Sequence, residues 1–124
     1  MQCPKCDGEF EAVVSEGVVV HRCTECRGLW FDDSKHEFLK SVDGSEKIDI
    51  GDPEVGRRFN DMAVVSCPRC HSRMIRMVVP DQHHIWYESC SACAGVFFDA
   101  GEFRDYKDKT LLDYVRDLFT PERR

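Results

Sequence analysis

One cysteine pattern, written twice, limits what this 124-residue chain can become. Cys3-Pro4-Lys5-Cys6 is matched by Cys67-Pro68-Arg69-Cys70. Cys23-Thr24-Glu25-Cys26-Arg27-Gly28-Leu29-Trp30-Phe31-Asp32 is matched by Cys90-Ser91-Ala92-Cys93-Ala94-Gly95-Val96-Phe97-Phe98-Asp99. The two pairs are 16 residues apart in the first copy and 19 in the second, a difference that a hairpin loop absorbs easily. A repeat of this kind marks two copies of one supersecondary unit.

The eight cysteines fall in four Cys-x-x-Cys pairs. A tight turn lets both sulfurs of such a pair point at one ion, and a hairpin that joins two turns completes a tetrahedron. Zinc takes four sulfur ligands in this way, at about 2.3 Å, in closed structural sites. The pattern therefore predicts two structural zinc ions, one held by Cys3, Cys6, Cys23 and Cys26 and the other by Cys67, Cys70, Cys90 and Cys93. Each unit is too small to fold on apolar burial alone. Structural zinc supplies ~10–16 kcal/mol of apparent binding energy, which counts as folding energy. Competing readings are disulfides, rubredoxin-like iron on the same ligands, and interleaved sets that cross between the copies. The five histidines are not needed, because each set already has four thiolates. Gly28 and Gly95 are expected to keep a Cβ away from the sulfurs.

Each copy reads as a Cys-Pro-x-Cys turn, an apolar hairpin, the second cysteine pair, a short strand and a short helix. The hairpins are expected at Phe10–Ser15 with Val18–Arg22, and at Met74–Val79 with His84–Ser89. Gly17 and Pro80-Asp81 mark their turns. Leu29–Phe31 and Val96–Phe98 form the short strands. Asp32 or Ser34 is expected to cap the first helix, with Phe38, Leu39 and Val42 facing inward, and Asp99 with Glu102 the second. Two separate small cores follow: Val13, Val14, Val18, Val20 and Trp30, and then Ile75, Met77, Ile85, Trp86, Phe97 and Phe98. Asp52-Pro53-Glu54 starts a linker helix with Val55, Phe59 and Met62 on one face. A C-terminal amphipathic helix starts at Thr110, with Leu111, Leu112, Val115, Leu118 and Phe119 at helical spacing. The fold class is a small metal-stabilised α+β protein: two tandem ribbons of short antiparallel β-sheet, each followed by a short helix. The organisation is a first ribbon over 1–42, a linker over 43–62, and a second ribbon with C-terminal helices over 63–124.

These residues resemble a family. The run Cys-Pro-x-Cys, then Cys-x-x-Cys-x-Gly-Leu-Trp-Phe-Asp, looks like the transcription factor IIB-type zinc-ribbon family of small bacterial proteins. In copy two, Asp99 through Phe103 also shows the family's aspartate, two residues, then glutamate and an apolar residue. Copy one departs, with Lys35 and His36 where Glu-Leu is usual. The resemblance covers residues 1–40 and 65–105 and implies a zinc-ribbon fold with bound metal. It implies little about function, since a fold does not fix one.

The formal charge is −6, and eight thiolates around two zinc ions bring it to about −10. Residues 1–62 hold 8 basic and 14 acidic side chains, and residues 63–124 hold 9 of each. An acidic chain gains no general attraction to nucleic acid. The leading expectation is a non-enzymatic protein-interaction module, docking on transcription or translation machinery, with a protein partner. The alternative is nucleic-acid binding through Arg69, Arg73 and Arg76, which have no acidic neighbour in sequence. No serine–histidine–acid set, phosphate loop or open three-ligand zinc motif is visible, so no enzyme is expected. No signal peptide or run of ~20 apolar residues is present, and reduced thiols fit the cytoplasm. The C-terminal stripe reads as packing onto the second ribbon or as a surface for homo-oligomers.

Overall fold

The computed structural model describes residues 1–62, 64–79 and 82–107, with no side chains described at 82–84. The strands follow the alternating patterns of both copies: β1 Phe10–Ser15, β2 Val18–Cys23, β3 Leu29–Phe31, β4 Ile75–Val79, β5 Gln82–Ser89 and β6 Val96–Phe98. Glu16 and Gly17, both at positive φ, close the first hairpin, as a two-residue primed turn requires. Pro80-Asp81, expected to close the second, lies outside the described residues.

The two copies share one antiparallel sheet in the order β1-β2-β3-β6-β5-β4. Its middle is the pairing of β3 with β6, where Leu29 faces Phe98, Trp30 faces Phe97 and Phe31 faces Val96. Each strand meets its own counterpart, so a local two-fold relation passes between Trp30 and Phe97.

Alternation along the strands sorts the apolar side chains onto two faces. One face carries Val20, Leu29, Phe31, Ile85, Val96 and Phe98, packed with Leu39, Ile48, Phe103 and Tyr106. The covering residues come from α1 (Lys35–Lys40), the 3-10 turn Ser45–Ile48 and a third helix over 102–107. The other face carries Cys23, Trp30 and Phe97, packed with both cysteine knuckles and with Val55, Phe59 and Met62 on or beside α2 (Pro53–Asn60). Both cores mix the two copies. The expected separate cores are therefore corrected, because the β3–β6 pairing puts both halves into one sheet. Val14, Ile75 and Met77, assigned to those cores, are exposed on the outer strands.

The linker helix α2 forms as its sequence reads, with Pro53 in the first turn and the Asp52 side chain accepting from the Glu54 N–H. The other caps do not. Asp33 and Ser34 adopt left-handed backbone, and Ser34 gives no side-chain cap to α1. Both its N–H and its hydroxyl donate to the Ala94 carbonyl across the copies instead. Phe38 faces out at 51% exposure, while Leu39 is buried. In the third helix, Asp99 turns elsewhere and the linker residue Asp49 caps it, accepting from the Gly101 and Arg104 N–H groups. Burial raises the Asp49 pKa, although those two N–H groups and the Arg104 guanidinium pull it back. The expected C-terminal helix from Thr110 lies outside the described residues.

Candidate metal centres

Four short turns, all built alike, hold the eight sulfurs. In each, the N–H after the second cysteine donates back to the carbonyl of the first: Asp7 to Cys3, Arg27 to Cys23, His71 to Cys67 and Ala94 to Cys90, at 2.9–3.1 Å. Each first cysteine's N–H donates forward to the residue after that, at 2.8–2.9 Å. Asp7, Arg27, His71 and Ala94 all sit at φ between 62° and 66°. This backbone leaves both sulfurs of a pair on the inside of the turn. Free N–H groups also aim at sulfur: Lys5 at Cys3, Glu25 at Cys23, and Arg69 and Cys70 at Cys67.

Cys3, Cys6, Cys23 and Cys26 form one cluster, and Cys67, Cys70, Cys90 and Cys93 the other, each with all four Sγ atoms within 4.8 Å of one another. The ligand sets stay within a copy, and no interleaved set forms among them. Two Sγ pairs in the first cluster lie 3.7 Å (Cys3–Cys26) and 3.4 Å (Cys6–Cys23) apart. Two in the second lie 3.5 Å (Cys67–Cys93) and 3.4 Å (Cys70–Cys90) apart. A zinc–sulfur bond of about 2.3 Å in a tetrahedron puts sulfurs about 3.8 Å apart. These four separations lie within a few tenths of an ångström of that value and the others are within 4.8 Å, so the donors fit a zinc ion with small shifts. As bare thiols they share protons unevenly: Cys3 is pushed far up and Cys23 held far down by the hydrogen bonds among Cys3, Cys23 and Cys26. A divalent cation relieves that competition by taking all four as thiolates.

The glycines after the second pairs act differently from the expectation. A Cβ on Gly28 would lie 2.2 Å from the Phe97 ring, and one on Gly95 would lie 2.1 Å from the Trp30 ring. They make room for the other copy's central aromatic, not for the sulfurs.

The residue inside each Cys-Pro-x-Cys turn also crosses to the other copy. Lys5 is buried and spends all three N–H groups, on the Phe59 carbonyl at 2.9 Å, Glu88 at 3.1 Å and Asp99 at 3.0 Å. Arg69, its counterpart, donates twice to Asp32, at 2.8 and 2.7 Å, and lies 3.3 Å from His21. Asp32 and Asp99 are equivalent in the repeat, as are His21 and Glu88 opposite Trp30 and Phe97 in the strand registers. The Arg69 bonds hold the Asp32 carboxyl below its usual range. At the buried pair, burial outweighs Lys5, so Asp99 is raised and Glu88 is pushed up to about 6. One oxygen of each buried carboxylate has no hydrogen-bond partner among the described residues.

The predicted contact trio Arg69, Arg73 and Arg76 is thus divided. Arg69 is tied to Asp32, Arg76 stacks over Trp86 with its guanidinium 4.6 Å from the ring centroid, and Arg73 is exposed. Lys5, Glu88, Asp99 and Asp49 were missed as structural anchors. The repeat showed Lys5 opposite Arg69 and Asp99 opposite Asp32, but not that each cation reaches into the other copy.

A search of curated proteins and a search of solved structures each found no match. The family model for the transcription factor zinc-finger, the transcription factor IIB-type zinc ribbon, matches residues 2–41 and 66–109. Those segments contain the two ligand sets and all six strands of the shared sheet, and they make up more than half of the sequence. With two closed four-cysteine zinc sites on matching ribbons, the chain belongs to the transcription factor IIB-type zinc-ribbon family.

Proposed function

We propose that this zinc-binding protein is a non-enzymatic docking module whose partner is a protein of the transcription or translation machinery. The observation that carries the reading is the closure of both metal sites. Four thiolates fill zinc's tetrahedron and leave no position for substrate or water, so the metal serves to hold a surface in shape. That surface includes an apolar pair, Val14 opposite Val19 on the first hairpin, at 66% and 47% exposure. No helix among the described residues is long and apolar enough to cross a membrane. The test is capture from native lysate with zinc-loaded protein, wild type against Val14→Lys/Val19→Lys. Polymerase or ribosomal subunits enriched by wild type and lost with the variant support docking through this hairpin. Recovery of nucleic acid alone sinks the reading.

Nucleic-acid binding is the second reading, favoured by one feature: Arg76 stacked on Trp86 with Arg73 nearby in sequence. Such pairs stack on bases. Yet Arg69 is neutralised by Asp32, and an acidic protein with two remaining arginines binds phosphates weakly. Fluorescence anisotropy should give negligible affinity for random DNA or RNA at physiological salt.

A further inference from the structure

The two zinc sites have the same ligands and differ in what covers them. In the first, Cys3, Cys23 and Cys26 are buried and Cys6 is half-buried. In the second, Cys70 and Cys93 are both exposed. The first site has two covers. The Glu25 side chain folds over Gly8, where an added Cβ would meet its Cγ at 2.6 Å and the Cys23 Sγ at 2.9 Å. The linker lies against Arg27, next to Cys26, where a Cβ on Gly51 would be 2.7 Å from the Arg27 Cβ. At the equivalent places of the second site stand Ala92, too short to fold over, and Ser72 instead of glycine. Next to Cys93, Ala94 meets Ser34, whose N–H and hydroxyl donate to its carbonyl.

We propose that the second zinc centre is a thiol-modification site, open to peroxides and soft electrophiles, while the first is protected. Thiolate reactivity follows access to the sulfur as well as its charge. With hydrogen peroxide, the Cys70 Sγ attacks one oxygen, the O–O bond breaks and hydroxide leaves, giving a sulfenic acid. The Cys90 Sγ, 3.4 Å away, attacks that sulfur. An S–S bond forms and a second hydroxide leaves. Two thiolates lose two electrons, the peroxide becomes two hydroxides, and the zinc ion departs with two of its ligands gone. At the first site the sulfurs are covered, so oxidation reaches them later.

The experiment is a peroxide time course on the zinc-loaded protein, with released zinc read by a coloured chelator and oxidised cysteines mapped by peptide mass spectrometry. The first equivalent of zinc should leave about 10-fold faster than the second, with oxidation confined at that stage to Cys67, Cys70, Cys90 and Cys93. Release of both ions at one rate, or oxidation of Cys3, Cys6, Cys23 or Cys26 first, overturns the proposal. Two variants that replace no ligand test the cause, after both are shown to bind two zinc ions, with Ser72→Gly alone as the control for the hydrogen bond between Ser72 and Cys70. Ser72→Gly/Ala92→Glu transplants the cover and should slow release from the second site, and Glu25→Ala should speed release from the first. If neither rate moves, the assignment of protection to these covers is wrong.

Discussion

Lys5 and Arg69 occupy one position in the repeat and reach to equivalent aspartates, yet their surroundings differ. Lys5 is sealed between Glu88 and Asp99, with side-chain exposures of 0%, 2% and 1%. Arg69 and Asp32 meet at the surface, at 45% and 40%. A surface pair contributes about 0–1 kcal/mol, whereas removing one partner of a buried pair costs about 3–5 kcal/mol because a charge is left uncompensated. The same contact, duplicated with the chain, has become a structural anchor on one side and a minor fastening on the other. His21 stands where Glu88 stands in the other copy, so only the buried side holds two carboxylates on one cation.

The largest effect should come from Lys5→Met. Urea unfolding of the zinc-loaded protein at pH 7 should show a loss of about 3 kcal/mol, with a loss below 1 kcal/mol ruling out the anchor. Part of the loss should return near pH 5.5, below the Glu88 pKa of about 6, where Glu88 takes up a proton and needs the cation less. The next effect concerns the seam itself. Gly95→Ala drives a methyl into the buried Trp30 ring and should cost about 1–3 kcal/mol; an unchanged midpoint would mean that the ring contact has been misread.

Glu102 gives a smaller effect that depends on pH. Burial, partly opposed by the Trp86 N–H, pushes its pKa up to about 7. A carboxyl whose folded pKa is raised contributes most at low pH and loses stability as pH rises from its unfolded value of about 4.3 through about 7. Glu102→Gln keeps an acceptor for Trp86 and removes that titration. The stability of the variant relative to wild type should therefore improve between pH 5.5 and pH 8, and the comparison cancels the pH dependence of zinc binding that both share. A difference that stays flat across this range contradicts the buried carboxylate. Smallest of all, Arg69→Ala should cost no more than about 1 kcal/mol. A loss as large as that of Lys5→Met would erase the contrast between the two sides.

Both ligand sets, five of the strand boundaries to within a residue and the α2 start were legible in the sequence. Each depends on residues close together: cysteines two apart, alternation along a hairpin, a proline after a capping aspartate. What was not legible depends on residues of the other copy. Ser34 and Asp99 look like local caps, but Ala94 and Lys5 compete for them and win. Gly28 and Gly95 look like spacers for sulfur, but the nearest obstacles are Phe97 and Trp30. His36, an odd residue at the start of a helix, is buried among Phe31, Tyr87, Phe98 and Tyr106, where its counterpart in the repeat is Phe103. Burial lowers its pKa, and its Nδ1 has no partner among the described residues. Repeats in a sequence reveal their own units, but they do not reveal how one unit packs on the next.

The central claim is that two zinc ribbons form one folded body through β3, β6 and Lys5. It is tested most directly by Cys26→Ser, read by two-dimensional amide NMR alongside zinc analysis. Wild type purified without added metal should carry two zinc ions per chain. In the variant, loss of the first ion removes much of that ribbon's folding energy and withdraws the cation from Glu88 and Asp99. The account predicts that amide signals of β5 and β6 collapse or shift widely together with those of β1–β3. Second-ribbon signals that stay at their wild-type positions, with one zinc ion retained, would show that the halves fold independently and would contradict it.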